Sequence, residues 1–111
     1  MKNINISARL KKIYVPMTEP SFYILLSLVH ENHGYGITQV VKELTNGELT
    51  ISPGTMYGSL SKMEKDGLIR FMREEEKRKL YHITELGIEV LNLEKARIKR
   101  MYHNIQGEEK W

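Results

Sequence analysis

The 111-residue sequence predicts a mostly helical fold with a small β-hairpin, an α+β class, on the strength of three observations. Apolar residues recur at helical spacing between turn signals over most of the chain. Two short segments rich in β-favouring side chains flank residues 75–77. A long amphipathic stretch then follows. Two helices, a third helix and a hairpin in this order are the arrangement of a winged helix-turn-helix, here with a long C-terminal helix added.

The composition excludes several classes of protein. Hydrophobic residues make up 41% and charged residues 28%, as in ordinary globular domains. The longest apolar run, 22–29, is much shorter than the about 20 residues of a membrane span, so we expect no membrane partner. The absence of cysteine excludes a disulfide framework and cysteine catalysis. Because no secretory leader pattern is found, we expect a cytoplasmic protein.

Basic residues are grouped along the chain, although the net charge is only +3. Residues 1–17 carry four basic and no acidic side chains, and residues 62–79 carry a net charge of +2. Local positive patches are therefore available on a nearly neutral molecule.

The N-terminal part of the sequence predicts two helices. Residues 1–17 are interpreted as an extension with a short helix, whose apolar side is formed by Ile4, Leu10, Ile13 and Tyr14. Thr18 is a plausible N-cap, and Pro20 is tolerated in a first turn. An apolar segment follows to about Glu31, which predicts a buried helix.

A second helix of the domain is predicted after a turn. The glycines within 33–36 predict a sharp turn. The helix that follows has an apolar stripe made of Ile37, Val40, Val41 and Leu44. Asn46 and Gly47 are predicted to end it, and residues 49–51 are predicted as a short isolated strand.

The segment that begins at Ser52 carries strong helix signals. Ser52 at the N-cap, Pro53 at the first helical position and Gly67 after the end predict a helix over 53–66. Its inner stripe is formed by Met56, Leu60 and Met63. The opposite, outer side carries small, hydroxyl and cationic residues, namely Gly54, Thr55, Gly58, Ser61, Lys62 and Lys65.

The outer side of this helix carries smaller side chains than a solvent-exposed helix face usually does. Glycine costs about 0.5–1 kcal/mol relative to alanine in a helix interior, so two glycines indicate that another molecule approaches the backbone closely. A DNA major groove about 12 Å wide admits one helix, and small residues let that helix lie deep. The alternative is that Gly54 is only a first-turn residue and that Gly58 makes room for another helix.

The hairpin predicts a wing over 70–81. Its strands are expected at 68–74 and 78–84, with the tip at 75–77. Arg78 and Lys79 follow the tip and can contact phosphates beside the groove, which positions a helix without reading sequence. The glutamates at the tip would be repelled by phosphate, so we expect the tip to point away. The alternative is a solvated hairpin of mixed charge.

Thr84 is predicted to cap a final helix over 85–106, followed by a polar tail at 107–111. A short coiled-coil seam is indicated by five apolar residues at suitable spacing, with Glu94 as a flaw: Leu91, Ile98, Met101, Tyr102 and Ile105. Leu86, Val90 and Leu93 are expected to pack on the helix's own domain. The pattern predicts a homodimer joined through the seam. The alternative is one broad face packed entirely on its own domain.

At these residues the sequence resembles the PadR-like family of bacterial transcriptional regulators. The matching motifs span about 18–87 and are TE at 18–19, FYILL at 22–26, HGYGI at 33–37, SPGTMYG at 52–58, KDGLI at 65–69 and RKLYHIT at 78–84 with Gly87. The resemblance implies a dimeric repressor of the short subgroup, with a winged-helix DNA-binding domain at 18–84 and a dimerisation helix at 85–106. It also implies control by a small hydrophobic effector or a stress signal. A symmetric dimer would bind an inverted-repeat operator.

The helix pattern and the resemblance together give a set of candidate DNA-contact residues. They are Tyr35, Ser52, Gly54, Thr55, Tyr57, Gly58, Ser61, Lys62, Arg78 and Lys79. The sequence departs from the family in two places. Family wings often carry glycines before the Arg-Lys pair, where this chain has residues 75–77 instead. Ile98 stands where some multidrug-binding members have a tryptophan, so we expect no aromatic drug sandwich.

Other chemistry finds no support in the sequence. His30 and His33 lack further side chains at metal-ligand spacing, so we expect no metal site. We find neither an acid–base pair of carboxylates nor a phosphate-cradling glycine loop, and we predict a non-enzyme without a cofactor. Two hypotheses remain, a DNA-binding regulator whose affinity falls steeply with salt and a winged-helix protein–protein module that does not bind DNA.

Overall fold

The computed structural model describes residues 6–107 and has the predicted architecture. Its elements, in order, are α1 (Ala8–Tyr14), α2 (Glu19–Ser27), α3 (Gly34–Leu44), α4 (Pro53–Lys65), β1 (Ile69–Glu75), β2 (Arg78–Ile83) and α5 (Glu85–Ile105). The prediction of a mostly helical winged helix-turn-helix with a long C-terminal helix is confirmed. Ile4 and residues 108–111 of the predicted tail lie outside the described residues.

The predicted helix starts are confirmed by side-chain caps. The hydroxyls of Thr18, Ser52 and Thr84 accept hydrogen bonds from the backbone N–H groups three residues on, at 3.2, 3.2 and 3.0 Å. Each bond satisfies one of the N–H groups that a helix N-terminus leaves unpaired. The end of α4 follows its prediction as well, because Gly67 lies in the left-handed region at φ +82°.

The prediction of a sharp glycine turn at 33–36 is wrong. Gly34 already belongs to α3, and neither Gly34 nor Gly36 has a positive φ. His33 is the N-cap of this helix, and its Nδ1 accepts a hydrogen bond from the Gly36 N–H at 3.1 Å. Both glycines lie close to neighbouring side chains instead, because a Cβ at Gly34 would lie 2.9 Å from the ring of Tyr57 and a Cβ at Gly36 would overlap the Asn32 amide.

Two further boundaries also differ from prediction. Helix α2 ends at Ser27 rather than near Glu31. The isolated strand predicted at 49–51 is absent from the described residues, since that segment has no β-partner. Elsewhere Asn32 and Tyr81 form an antiparallel bridge, in which they exchange backbone hydrogen bonds of 3.1 and 2.8 Å.

The hairpin β1–β2 is antiparallel and runs from Ile69 opposite Ile83 to Glu75 opposite Arg78. A bulge interrupts its register between Phe71 and Arg73. The two turn residues, Glu76 and Lys77, both have positive φ, at 50° and 64°. Positive φ at both central positions is the requirement of the two-residue turns that match the twist of a hairpin.

The core lies where α2, α3, α4 and the first half of α5 meet. Its fully buried side chains come from every one of these helices and include Leu25, Leu28, Ile37, Val41, Met56, Leu60, Met63, Val90 and Leu91. Gly87 lets α5 approach the hairpin, because a Cβ at Gly87 would overlap the Leu68 carbonyl oxygen. Leu44, predicted on the inner stripe of α3, is instead exposed.

No helix within residues 6–107 combines the length and the apolar character that crossing a membrane requires.

Candidate nucleic-acid interface

The outer side of α4 is open. Met56, Leu60 and Met63 are buried, whereas Gly54, Thr55, Gly58 and Ser61 are exposed. A Cβ built on Gly58 would meet nothing within 4 Å among the described residues, and the same holds for Gly54. Within this chain, therefore, Gly58 does not make room for another helix. The predicted face of small side chains is therefore present, and no other described residue covers its two glycines.

Ser52 and Thr55 form the N-terminal end of this face. The Ser52 hydroxyl accepts the Thr55 N–H at 3.2 Å and donates to Thr55 Oγ1 at 3.1 Å. The cap therefore fixes both hydroxyl groups at the point where α4 begins. Exposed backbone N–H groups and a positive helix-dipole end at such a position favour an anion.

Three predicted residues, Tyr35, Tyr57 and Arg78, come from separate elements and are linked through Tyr35. Tyr35 from the first turn of α3 and Tyr57 from α4 are both exposed. The Arg78 guanidinium lies over the Tyr35 ring, 5.7 Å from its centroid, in cation–π geometry. Arg78 therefore connects the hairpin to the start of α3, and Tyr35 and Tyr57 line one groove between α3 and α4.

A groove separates α4 from the hairpin. It is lined by Gly34, Tyr57, Leu60, Ser61, Lys77, Lys79 and Tyr81. Lys79 thus lies where it was predicted, and Lys77 joins it. Arg73 takes no part in this groove, because its guanidinium pairs with Glu31 at 2.6 Å and with Glu75 at 2.7 Å. One of the tip glutamates is neutralised in this way.

On the flank of α4 away from the hairpin, α1 contacts the end of α4, a position that the sequence did not predict. The Asp66 carboxylate at the end of α4 accepts the Tyr14 hydroxyl at 2.7 Å and the Arg9 guanidinium at 3.0 Å. The Lys62 ammonium lies 3.6 Å from the same carboxylate and 5.7 Å from the Tyr14 ring centroid. The basic, acid-free composition of residues 1–17 is the one sequence signal that could have drawn attention to this segment.

Asp66 and Tyr14 form the centre of this contact. Burial would raise the pKa of Asp66, but the Tyr14 hydroxyl and the Arg9 guanidinium hold it below its usual value. Burial raises the pKa of Tyr14, and the adjacent carboxylate raises it further, so this hydroxyl stays protonated and remains a donor. The two residues fasten α1 to the end of α4.

The predicted seam of α5 divides into two parts. Ile98, Met101, Tyr102 and Ile105 are 36–59% exposed and lie along one side at helical spacing. Leu91 is only 1% exposed and packs in the core of its own chain, which corrects its assignment to the dimer seam. The first half of α5 belongs to the domain, and only its second half presents an apolar stripe to solvent.

Glu94 is not a flaw in the seam but a buried anchor. Its side chain is fully buried, and it accepts the Met17 N–H at 2.7 Å and the Arg97 guanidinium at 2.8 and 3.0 Å. Burial alone would raise the pKa of Glu94, but these donors outweigh it and lower the pKa below its usual value. The carboxylate ties α5 to the segment between α1 and α2.

Within residues 6–107, no three His, Cys, Asp or Glu side chains are arranged to hold a metal ion.

A winged helix-turn-helix with an open helix face between a basic hairpin and a second basic flank is the arrangement of many regulators that act on nucleic acid. Residues 24–93 match the model of the Transcriptional regulator PadR-like family. The chain belongs to this family of transcriptional regulators.

Individual relatives agree with this assignment. Transcriptional regulator YqjI of Escherichia coli is 29% identical over 76 residues, which are 68% of this chain and 37% of that protein. The chain therefore spans well under half the length of this curated relative. A transcriptional regulator from Clostridium thermocellum superposes with a TM-score of 0.69 at 26% identity, covering 93% of this chain and 97% of that one. Bacillus subtilis PadR in complex with operator DNA superposes with a TM-score of 0.60 at 26% identity, covering 68% and 45%.

Proposed function

We propose that this regulator binds duplex DNA as a homodimer, with α4 as the recognition helix in the major groove and the hairpin as a wing on the sugar–phosphate backbone. The observation that carries the proposal is the unobstructed face of α4, where open space surrounds Gly54 and Gly58. The similarity to Bacillus subtilis PadR, whose structure is a complex with operator DNA, supports it. In this proposal residues 18–84 bind DNA and 85–106 dimerise.

The chemistry of the face suits a major groove. Hydroxyl groups at Ser52, Thr55 and Ser61 offer hydrogen bonds to bases and phosphates, and Lys62 offers charge. Arg78 from the wing lies over the ring of Tyr35 from α3, and Tyr35 lines a groove together with Tyr57 of α4. A protein-binding module would instead present large apolar side chains, and on the outer face of α4 only Tyr57 has that character.

The second half of α5 supports dimerisation. A monomer would expose Ile98, Met101, Tyr102 and Ile105 together along one stripe. A two-fold axis at this stripe would present two recognition helices to successive major grooves, about 34–36 Å apart. The operator is then an inverted repeat. Repression, and its release by a small hydrophobic effector, complete the proposal on the ground of family resemblance.

Selection from a pool of random duplexes of about 40 base pairs tests this proposal and requires no assumed operator sequence. We expect enrichment of an inverted repeat whose half-site centres lie about one helical turn apart. Affinity for the enriched duplex should fall by orders of magnitude between 50 and 200 mM salt. Failure to enrich any sequence, or binding that ignores salt, would favour the protein-binding alternative. An enriched site without two-fold symmetry would overturn the homodimer.

Lys62→Ala tests the orientation of α4. We expect weaker binding to the enriched duplex and a salt slope reduced by about one unit for each protomer in contact. Lys95→Ala, which removes the same charge from an exposed position on α5, is the matched control and should leave the slope unchanged. Equal slopes for the two variants would remove Lys62 from the interface.

A further inference from the structure

The outer face of α4 has a flanking element on each side. The wing-side groove is lined by Tyr57, Ser61, Lys77 and Lys79 among others. On the other side an open groove between α1 and α4 is lined by Arg9, Gly58, Ser61, Lys62, Lys65 and Asp66. Ser61 lines both grooves, so it lies on the ridge between them. Helix α1 thus occupies, relative to α4, a position opposite to that of the wing.

The groove between α1 and α4 presents cations to solvent. Three basic side chains line it against one carboxylate. That carboxylate, Asp66, has a side chain only 6% exposed, whereas the side chains of Arg9 and Lys62 are 64% and 56% exposed. The negative charge therefore lies beneath the positive ones. Helix α1 itself contains Arg9, Lys11 and Lys12 and no acidic residue.

Buried side chains and hydrogen bonds fix the position of helix α1 against α4. Leu10 and Tyr14 are buried on its inner side. The Tyr14 hydroxyl and the Arg9 guanidinium both bond to Asp66, which is the C-cap of α4. Any placement of α4 in a groove therefore places α1 as well.

We propose that α1 is a second phosphate-contacting element, in which Arg9 and Lys12 bind the DNA strand on the opposite side of the major groove from the wing. A major groove is about 12 Å wide, and a helix with its side chains is about 10–12 Å across. A helix seated there has a phosphate backbone on each side. The wing meets one strand, and α1 is the element in position to meet the other. This inference rests on the proposed function.

Helical geometry separates the three cations of α1. Arg9 and Lys12 are three residues apart and lie on one side of the helix. Lys11 lies two residues from Arg9, and at about 100° per residue it points away from that side. Lys11 is therefore a control within the same helix, because Lys11→Ala removes the same charge from a different side of the helix.

The test measures Arg9→Ala, Lys12→Ala and Lys11→Ala against the duplex enriched by selection, over a range of salt concentrations. We expect Arg9→Ala and Lys12→Ala to weaken binding by about fivefold per lost contact at 0.15 M salt and to flatten the slope by about 0.9 per contact. Lys11→Ala should match the wild type. If all three variants match the wild type, or all three weaken binding equally, the inference is overturned.

Asp66→Asn distinguishes a phosphate contact from a structural role of Arg9. This substitution breaks the ion pair but leaves Arg9 and Lys62 in place, and the amide oxygen still accepts the Tyr14 hydroxyl. If Arg9 contacts phosphate, Asp66→Asn binds at least as tightly as the wild type with an undiminished slope. If Arg9 only holds α1 in place, Asp66→Asn weakens binding in the same way as Arg9→Ala, and the inference fails.

The two proposals fail in different ways. Salt-dependent binding by the wild type, with a flatter slope for Lys62→Ala but not for Arg9→Ala or Lys12→Ala, overturns the role of α1 and leaves the proposed function standing. Absence of salt-dependent binding by the wild type overturns both.

Discussion

Gly58 lies at the middle of the outer face of α4, with open space where a side chain would be. Replacement by alanine should raise the free energy of unfolding by about 0.5–1 kcal/mol, because alanine is the better helix former. The same methyl group should weaken DNA binding if the backbone there approaches a groove. Denaturant titration and a binding titration on one Gly58→Ala preparation measure both effects.

Gly87 gives the opposite result for stability and serves as the contrast. A Cβ at Gly87 would overlap the Leu68 carbonyl oxygen, and a backbone atom cannot rotate aside. We expect Gly87→Ala to lower the free energy of unfolding by about 1–3 kcal/mol. A Gly58→Ala protein that is more stable and binds DNA as well as the wild type would contradict the close approach at Gly58.

The buried carboxylate of Glu94 predicts a pH-dependent stability. Its folded-state pKa lies below the ordinary value of 4.5, so its contribution is present above that value and is lost as the pH falls through the folded-state pKa. Glu94→Gln keeps an acceptor for the Met17 N–H but removes the charge that Arg97 binds. We expect it to lower the free energy of unfolding by about 1–2 kcal/mol at pH 7.

Urea titrations at pH 7 and near pH 3, at one protein concentration, check this prediction. The difference between wild type and Glu94→Gln should shrink at the lower pH, because protons there bind to the carboxyl of the unfolded chain and reduce the advantage of the ionised folded state. Glu89→Gln removes a carboxylate from the same helix at a position without an ion pair among the described residues, and it is the control. A difference that stays constant with pH would show that charge at Glu94 does not stabilise the fold.

The exposed position of Gly58 can be predicted from the sequence, but the buried role of Glu94 cannot. Gly58 is recognisable because its neighbours at helical spacing are known without the fold, and the wheel places it opposite Met56, Leu60 and Met63. Glu94 interrupts an apolar pattern and so resembles a defect. The structural role of Glu94 depends on its hydrogen bond with the Met17 N–H, which is 77 residues away in sequence and reaches Glu94 only in the folded chain.

At the level of elements, the wing turn is built from residues poorly suited to it. Glu76 and Lys77 both adopt positive φ, which non-glycine residues with bulky side chains rarely take. Replacing the pair by Asn-Gly, the preferred sequence for such a turn, should raise the free energy of unfolding by about 1 kcal/mol. Thermal and urea unfolding of Glu76→Asn/Lys77→Gly measure it.

The single change Glu76→Gln is the control, because it alters charge at the tip without supplying a residue suited to positive φ. A gain in stability equal to that of the double variant would show that charge, and not backbone conformation, limits the turn. The strands themselves follow from the alternation of β-favouring residues, whereas the conformation of residues 76 and 77 does not, since glycine is absent there.

For helix α1, the formation of the helix can be predicted from the sequence, but its position in the fold cannot. Its formation follows from Ser7 at the N-cap and from local propensity, and its helix is only seven residues long. Its position against α4 depends on Asp66, and Arg9 is separated from that residue by 57 positions. Short helices carry too few apolar residues for periodicity to indicate what they pack against.

For the whole molecule, the exposed stripe of α5 predicts the oligomeric state. Ile98→Asp places a charge in the stripe formed with Met101, Tyr102 and Ile105. We expect the variant to sediment as a monomer at concentrations where the wild type is a dimer, and to lose most of its affinity for an inverted repeat. Sedimentation velocity and the binding titration provide the measurements.

Ala96→Asp is the matched control, because it adds the same charge to an exposed position about 160° around α5 from Ile98. It should remain dimeric. A wild-type protein that is already monomeric, or an Ile98→Asp protein that remains dimeric, would contradict the interface. Helical spacing in the sequence places these residues on one side of a helix, but it does not show whether that side is buried or exposed. Leu91 belongs to the same predicted seam and is buried, so the folded structure is needed to separate it from the exposed residues.

The segment 15–17 is bound at both ends. Tyr14 is joined to the end of α4 through Asp66, and the Met17 N–H is joined to α5 through Glu94. Residues 15–17 therefore link the helix proposed to pair with a second copy to the helix proposed to read bases, in addition to the core that these helices share. Because α4 and the first half of α5 also pack in one core, the angle between two paired copies of α5 would set the distance between their α4 helices.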